Sequence, residues 1–161
     1  MSKDTATHKT RWKITKYETP EDHKNDKPYE EVVVEDNILL NEGINLVLDL
    51  LLDAGGTQFT NLTSYLGVGD GTTAAEATQT GLLGSNQAYS GMEAGYPQRN
   101  DQTITWRAVF GPDVAVFDWR EFTVANSNSN DGINLNRRVD ETQGTKGQNQ
   151  TWTLDLEIML S

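Results

Sequence analysis

Residues 39–56, LLNEGINLVLDLLLDAGG, form the one strongly helical stretch of a 161-residue chain. Ile44, Val47, Leu48 and Leu51 recur at the spacing that lines one helix face. Leu46 and Leu50 carry the apolar surface past a narrow stripe, and only Glu42, Asn45, Asp49 and Asp53 make a polar edge. A helix this apolar is expected to be covered on more than one side. Asn41 suits the N-cap, Glu42 the first turn, and Gly55 and Gly56 the stop, which predicts one principal α-helix over about residues 41–54. At 1.5 Å per residue it would be roughly 21 Å long. One such helix cannot bury itself, so the rest of the chain has to supply a sheet.

The rest alternates with a period of two. In residues 103–110, Ile104, Trp106, Ala108 and Phe110 share a face. In residues 151–160, Trp152, Leu154, Leu156, Ile158 and Leu160 point inward, with Thr151, Thr153, Asp155 and Glu157 outward. Residues 62–68, 114–124 and 133–139 read as further strands. Alternation slips near Asp118 to Arg120, which suggests a bulge, and Ile133, Leu135, Arg137 and Val139 share a face. Residues 72–91 read as a long surface excursion, 92–100 as a loop ending in a turn and 141–149 as a polar hairpin loop. One-sided alternation of this kind predicts a mainly β fold, an antiparallel β-sandwich closed on one side by the helix.

Residues 1–10 are polar and read as a tail. Short strands at 11–17 (RWKITKY) and 30–35 flank a charged loop, 18–27. Two arrangements fit them: a hairpin with a long loop, or an arm laid on a partner. Ordering a residue costs about 1–2 kcal/mol of backbone entropy, and this segment holds few apolar groups to offset it. The chain is therefore divided into an extended N-terminal arm, 1–35, and a single β-sandwich domain, 36–161, expected to fold without the arm. On that division Arg11, Trp12, Ile14, Tyr17, Tyr29, Val32 and Val34 are the candidate partner-binding residues, acting through open strand edges.

The net charge of −11 opposes nucleic-acid binding. With no cysteine there is no disulfide frame, thiolate metal site or thiol nucleophile. The first residues lack the apolar run of a signal peptide, and no apolar run is long enough to span a membrane as a helix. Residues 67–71 (GVGDG) suggest a phosphate loop, but the glycine spacing departs from G-x-G-x-x-G and no Lys-Ser/Thr pair follows. Asp70 with Thr72, and the 126–131 loop, carry oxygens without calcium-loop spacing. Asp118 and Glu121 bracket Trp119 as a glycosidase acid pair would, though two acids in one strand usually mark a solvated edge. His8 and His23 lie in the charged N-terminal region, outside any metal or triad pattern. Trp12, Trp106, Trp119 and Trp152 fit a sugar-binding row less well than core packing. No catalytic, cofactor-binding or metal residue is assigned, and no enzyme activity is expected.

The succession LLNEGINLVLDLL, YLGVGDGTTAAEATQTGL, MEAGYP, TWRAVFG, WREFTVAN, LNRRV and GTKGQNQTWTLDLEIMLS resembles a family of small structural proteins of tailed bacteriophages. It runs from about Lys13 to Ser161, and its most specific parts are the helix leading to LGVGDGTT and the closing QTWTLDLEIMLS. The helix and LGVGDG resemble, more loosely, phage tail-collar fibre proteins. The resemblance implies a virion protein assembled in the host cytoplasm, most simply a capsid decoration or cement protein. Its implied partners are the major capsid protein or other virion proteins, with homo-oligomer or lattice contacts, and neither nucleic acid nor membrane. A tail or collar component and a carbohydrate-binding module are the alternatives.

Overall fold

The alternating segments 103–110 and 151–160 lie side by side at the heart of one sheet. The structure, a computed structural model, describes residues 4–161. One five-stranded antiparallel sheet runs in the order β2 (Glu30–Glu35), β1 (His8–Tyr17), β10 (Thr151–Leu160), β7 (Thr103–Phe110) and β6 (Gln98–Asn100). The other runs β3 (Ile38–Leu39), β9 (Asn136–Val139), β8 (Glu121–Ala125), β4 (Tyr65–Gly69) and β5 (Gln87–Gly91). The two make the expected β-sandwich.

Register sets the core. Val34, Trp12, Leu156 and Trp106 face one another across four neighbouring strands, and Val32, Ile14, Leu154 and Ala108 make the next row. Because side chains alternate between faces, both rows point the same way, into the sandwich. Leu66 and Val68 of β4, paired with Val124 and Phe122 of β8, meet them from the second sheet. Trp119 plugs one region of this core. Its ring stands edge-on to Phe110 and Trp152, each at 4.9 Å between centroids, and its indole N–H donates to Ala115 O at 3.0 Å.

The extended arm expected over 1–35 is not what forms, although its residues 1–3 lie outside the described residues. The hairpin arrangement holds instead, and it is built into the sheet. β1 pairs with β10 along its full length on one side, and with β2 over Arg11 to Lys16 on the other. Trp12 and Ile14 are 0% exposed and Tyr17 and Val34 are buried with them, so most of the apolar groups of this segment are spent on the core. The charged loop contains a short helix, α1 (Pro20–Lys24), capped by Thr19 Oγ1, which accepts from Asp22 N at 3.1 Å.

Other boundaries shift for local reasons. Residues 114–120 are not strand: Asp113 and Ala115 take left-handed backbone, with φ of 61° and 55°, and the chain folds inward to deliver Trp119. The 72–91 excursion ends in β5, and residues 98–100 form the edge strand β6. Strand β4 starts late because Thr60 to Ser64 close a turn, with Ser64 N donating to Thr60 O at 2.9 Å. Thr151, Thr153 and Asp155 point outward yet are buried, because β10 is the central strand, while Leu160 at its end is exposed.

With β1 interior, residues 36–161 alone would leave β10 without its neighbour on one side and the core without Trp12 and Ile14. A chain lacking residues 1–35 is expected to show no cooperative urea transition. Trp12→Ala in the full chain should lose about 3–5 kcal/mol. A truncated chain that unfolds at the full-length midpoint would contradict this fold.

Candidate interaction surface

The principal helix, α2 (Asn41–Leu51), is one-sided in a way its sequence did not indicate. Leu40 is the N-cap, and Asn41 is already helical, donating its backbone N–H to Ala77 O at 2.8 Å. Gly43 is pressed on the backbone that leads into β9, where an added Cβ would lie 2.5 Å from the Cα of Leu135. Glu42 Oε1 accepts from Asn134 N at 2.7 Å, and Leu46 is buried. These contacts fasten the first two turns. Asp53, with φ of 53°, ends the helix before the predicted residue 54, and Gly55 and Gly56 follow, both at φ of 104°.

The second half stands clear. Ile44, Val47 and Leu48 are 40%, 41% and 53% exposed, and Leu51 and Leu52 are 77% and 79% exposed. At 100° per residue these five side chains cover a stripe about 140° wide. This is the face that the sequence analysis expected to be covered. The buried face is instead the narrower one formed by Gly43, Leu46 and half-buried Leu50. One border of the stripe runs into a groove of about 320 Å³ lined by Val47, Leu50, Phe59, Pro97, Ile104 and Trp106. The other border is Asn45 and Asp49, leading to Asp53, all exposed. Leu62, 84% exposed, projects from the loop that follows. Covering one such leucine fully would return roughly 1.5–3 kcal/mol.

A buried ion pair supports the helix from below. Glu121 and Arg137 have fully buried side chains, with Glu121 Oε2 2.7 Å from Arg137 Nη2 and 3.0 Å from Nε. Glu121 also accepts backbone N–H groups of Gly71 at 3.1 Å, Leu83 at 2.9 Å and Gly84 at 2.7 Å. Arg137 Nη1 donates to Thr73 O and Gln79 Oε1. The glycine run thus does cradle an anion, but an internal one. A Cβ at Gly69 or Gly71 would lie 2.4 or 2.6 Å from Glu121 Oε1. Asp118 pairs instead with Arg120 and accepts from Thr145, so the two acids that bracket Trp119 do separate work.

The candidate oxygen ligands are likewise engaged. Asp70 accepts from Asn86 N at 3.0 Å and Nδ2 at 2.7 Å, and those hydrogen bonds hold its carboxyl below the usual range. Asn126 Oδ1 accepts from Ile133 N, and Asn130 brackets Leu82. His8 is exposed on β1, and His23 stands edge-on to Tyr17.

Most of the residues singled out as partner-binding are interior. Trp12, Ile14, Tyr17 and Val34 are buried, and Val32 is partly buried. The Tyr17 hydroxyl donates to Asp26 at 2.9 Å, and burial followed by that acid pushes it up to about 12. Arg11 is exposed but faces Glu157 at 3.7 Å, and Tyr29 is 45% exposed. Neither edge of β1 is open, because β2 and β10 occupy them. The four tryptophans, none more than 2% exposed, present no aromatic row to solvent. The signal for α2 was present in Leu48, Leu51 and Leu52, but amphipathicity alone does not say which face meets the core.

Compared with known proteins, the chain matches no family model, no curated protein and no solved structure.

Glu121→Gln should cost about 3–5 kcal/mol in urea unfolding, because it leaves the Arg137 charge buried and unpaired. Backbone amides of residues 71–84 should lose hydrogen-exchange protection at the same time. A loss under 1 kcal/mol with protection retained would show that the pair is dispensable.

Proposed function

We propose that this protein is a non-enzymatic structural component of a tailed-bacteriophage virion, a capsid decoration or cement protein that binds the assembled head. The observation that carries the reading is the uncovered apolar stripe of α2. Contiguous exposed apolar surface of this kind marks a protein-contact site. The helix is held rigidly at its start by Leu40, Glu42 and Gly43, so the stripe is presented in a fixed orientation. A preformed face loses little entropy on docking.

The segments that carry the phage resemblance are structural in this fold. QTWTLDLEIMLS is the central strand β10, and LGVGDGTT is β4 with the turn over Glu121. They frame the sandwich and hold the loop beneath α2. A protein that binds only the assembled shell stabilises it by mass action, and each added copy contributes. The partners on this reading are the major capsid protein or neighbouring virion proteins.

Copy number in purified particles of the encoding phage, measured by quantitative mass spectrometry, tests the reading. Copies on the order of the shell lattice, roughly hundreds, are expected of a protein with lattice contacts. A handful would move the protein to the tail or collar, and absence from particles would refute a virion role.

A further inference from the structure

We infer that the α2 stripe docks a protein surface whose apolar ridge is flanked by lysine or arginine, with a cationic side chain of the partner seated at the helix C-terminus. The inference rests on the assembly reading for the existence of a partner, and it adds the chemistry by which that partner is recognised.

The argument starts from an electrostatic mismatch. A helix C-terminus carries partial negative charge from its last carbonyls, and cations there are favourable. Helix α2 has no basic residue in its last turn. It carries Asp49 there instead, with Asp53 just beyond, and both are exposed. Among the described residues neither acid forms an ion pair. Carboxylates and carbonyl dipoles of one sign therefore concentrate beside Leu48, Leu51 and Leu52, the most apolar part of the stripe. The arrangement works against the helix in isolation and fits an external cation.

The same charges discriminate among occupants. A second copy docked about a twofold axis, helix against antiparallel helix, would bring Asp49 and Asp53 of each chain toward the acidic edge of the other. Each chain also brings a net charge of −11. Like charges set against each other in this way disfavour the pairing. An anionic lipid surface is repelled for the same reason. A ridge of leucine-like side chains bordered by Lys or Arg satisfies both parts of the face. Its apolar groups cover the stripe and enter the groove beside Val47 and Leu50, and its cations meet Asp49, Asp53 and the negative end of the helix dipole.

Two synthetic helical peptides test this with the full-length protein. Both carry leucines at i, i+3, i+4 and i+7; one is flanked by lysine and arginine, the other by glutamate. Fluorescence anisotropy measures affinity, and amide chemical shifts map the contact. The cationic peptide is expected to bind at least about tenfold more tightly, with shifts confined to residues 44–62, and added salt should erode its advantage. Asp49→Asn with Asp53→Asn should remove most of that preference without lowering the unfolding midpoint. Leu51→Ser with Leu52→Ser should abolish binding of both peptides. Equal affinity for the two peptides would overturn the inference, as would shifts centred elsewhere or no binding at millimolar peptide. Self-association of the protein alone through residues 44–52, seen by sedimentation, would also overturn it, in favour of a second copy. Particle copy number does not enter this test, so either reading can fail without the other.

Discussion

The Glu121 carboxylate is the group on which the exposed side of the molecule depends. A buried carboxylate is costly unless its lone pairs and charge are matched. Here three backbone amides and the Arg137 guanidinium match it. The donors come from residues 71, 83 and 84, so one side chain on β8 draws the two ends of this loop together. Arg137, one strand away on β9, ties the same loop at Thr73 and Gln79. Between those anchors Ala77 offers its carbonyl to Asn41, the first residue of α2. One of the contacts that hold the helix start is thus linked, through this loop, to a fully buried ion pair.

This anchoring divides α2 by function. Its first two turns satisfy their backbone and side-chain needs internally, through Leu40, Asn41, Glu42 and Gly43. Its last turn caps itself with nearby amides, Ala54 N donating to Asp49 O at 2.9 Å, and meets no cation among the described residues. The helix is fixed where it meets the sandwich and carries uncompensated negative charge where it leaves. The opposite sheet shows the contrary pattern. Outward cations of β1 and β7 meet acids on neighbouring strands, as Lys13 does with Glu31 and Arg107 with Asp155. That face pairs Arg11, Lys13 and Arg107 with acids of its own.

The strands easiest to read were β7 and β10, whose alternation is uninterrupted. The N-terminal pair was misjudged because its support is remote: Trp12 and Ile14 are paired with Leu156 and Leu154, some 140 residues away in sequence. A composition averaged over 1–35 dilutes four well-placed apolar side chains with charged outward ones. For the helix, a wide apolar surface identified the element but not its seat, since the decisive contact is a glycine with no side chain. Arg137 leaves a trace in the sequence. It alternates in step with Leu135 and Val139, and an inward arginine requires an acid partner. Glu121 and the glycines of GVGDG are that partner and the space for it.

On the proposed assembly role, α2 and not a strand edge is the face that meets the partner. Strand β2 is the competing surface, with one free edge and Val33 46% exposed, although Glu30, Glu31 and Glu35 guard it. Hydroxyl-radical footprinting of the protein, free and bound on intact particles, distinguishes the two surfaces directly. The account predicts that Leu48, Leu51, Leu52 and Leu62 become protected on particles while Val33 stays reactive. Protection of Val33 with the four leucines unchanged would contradict it.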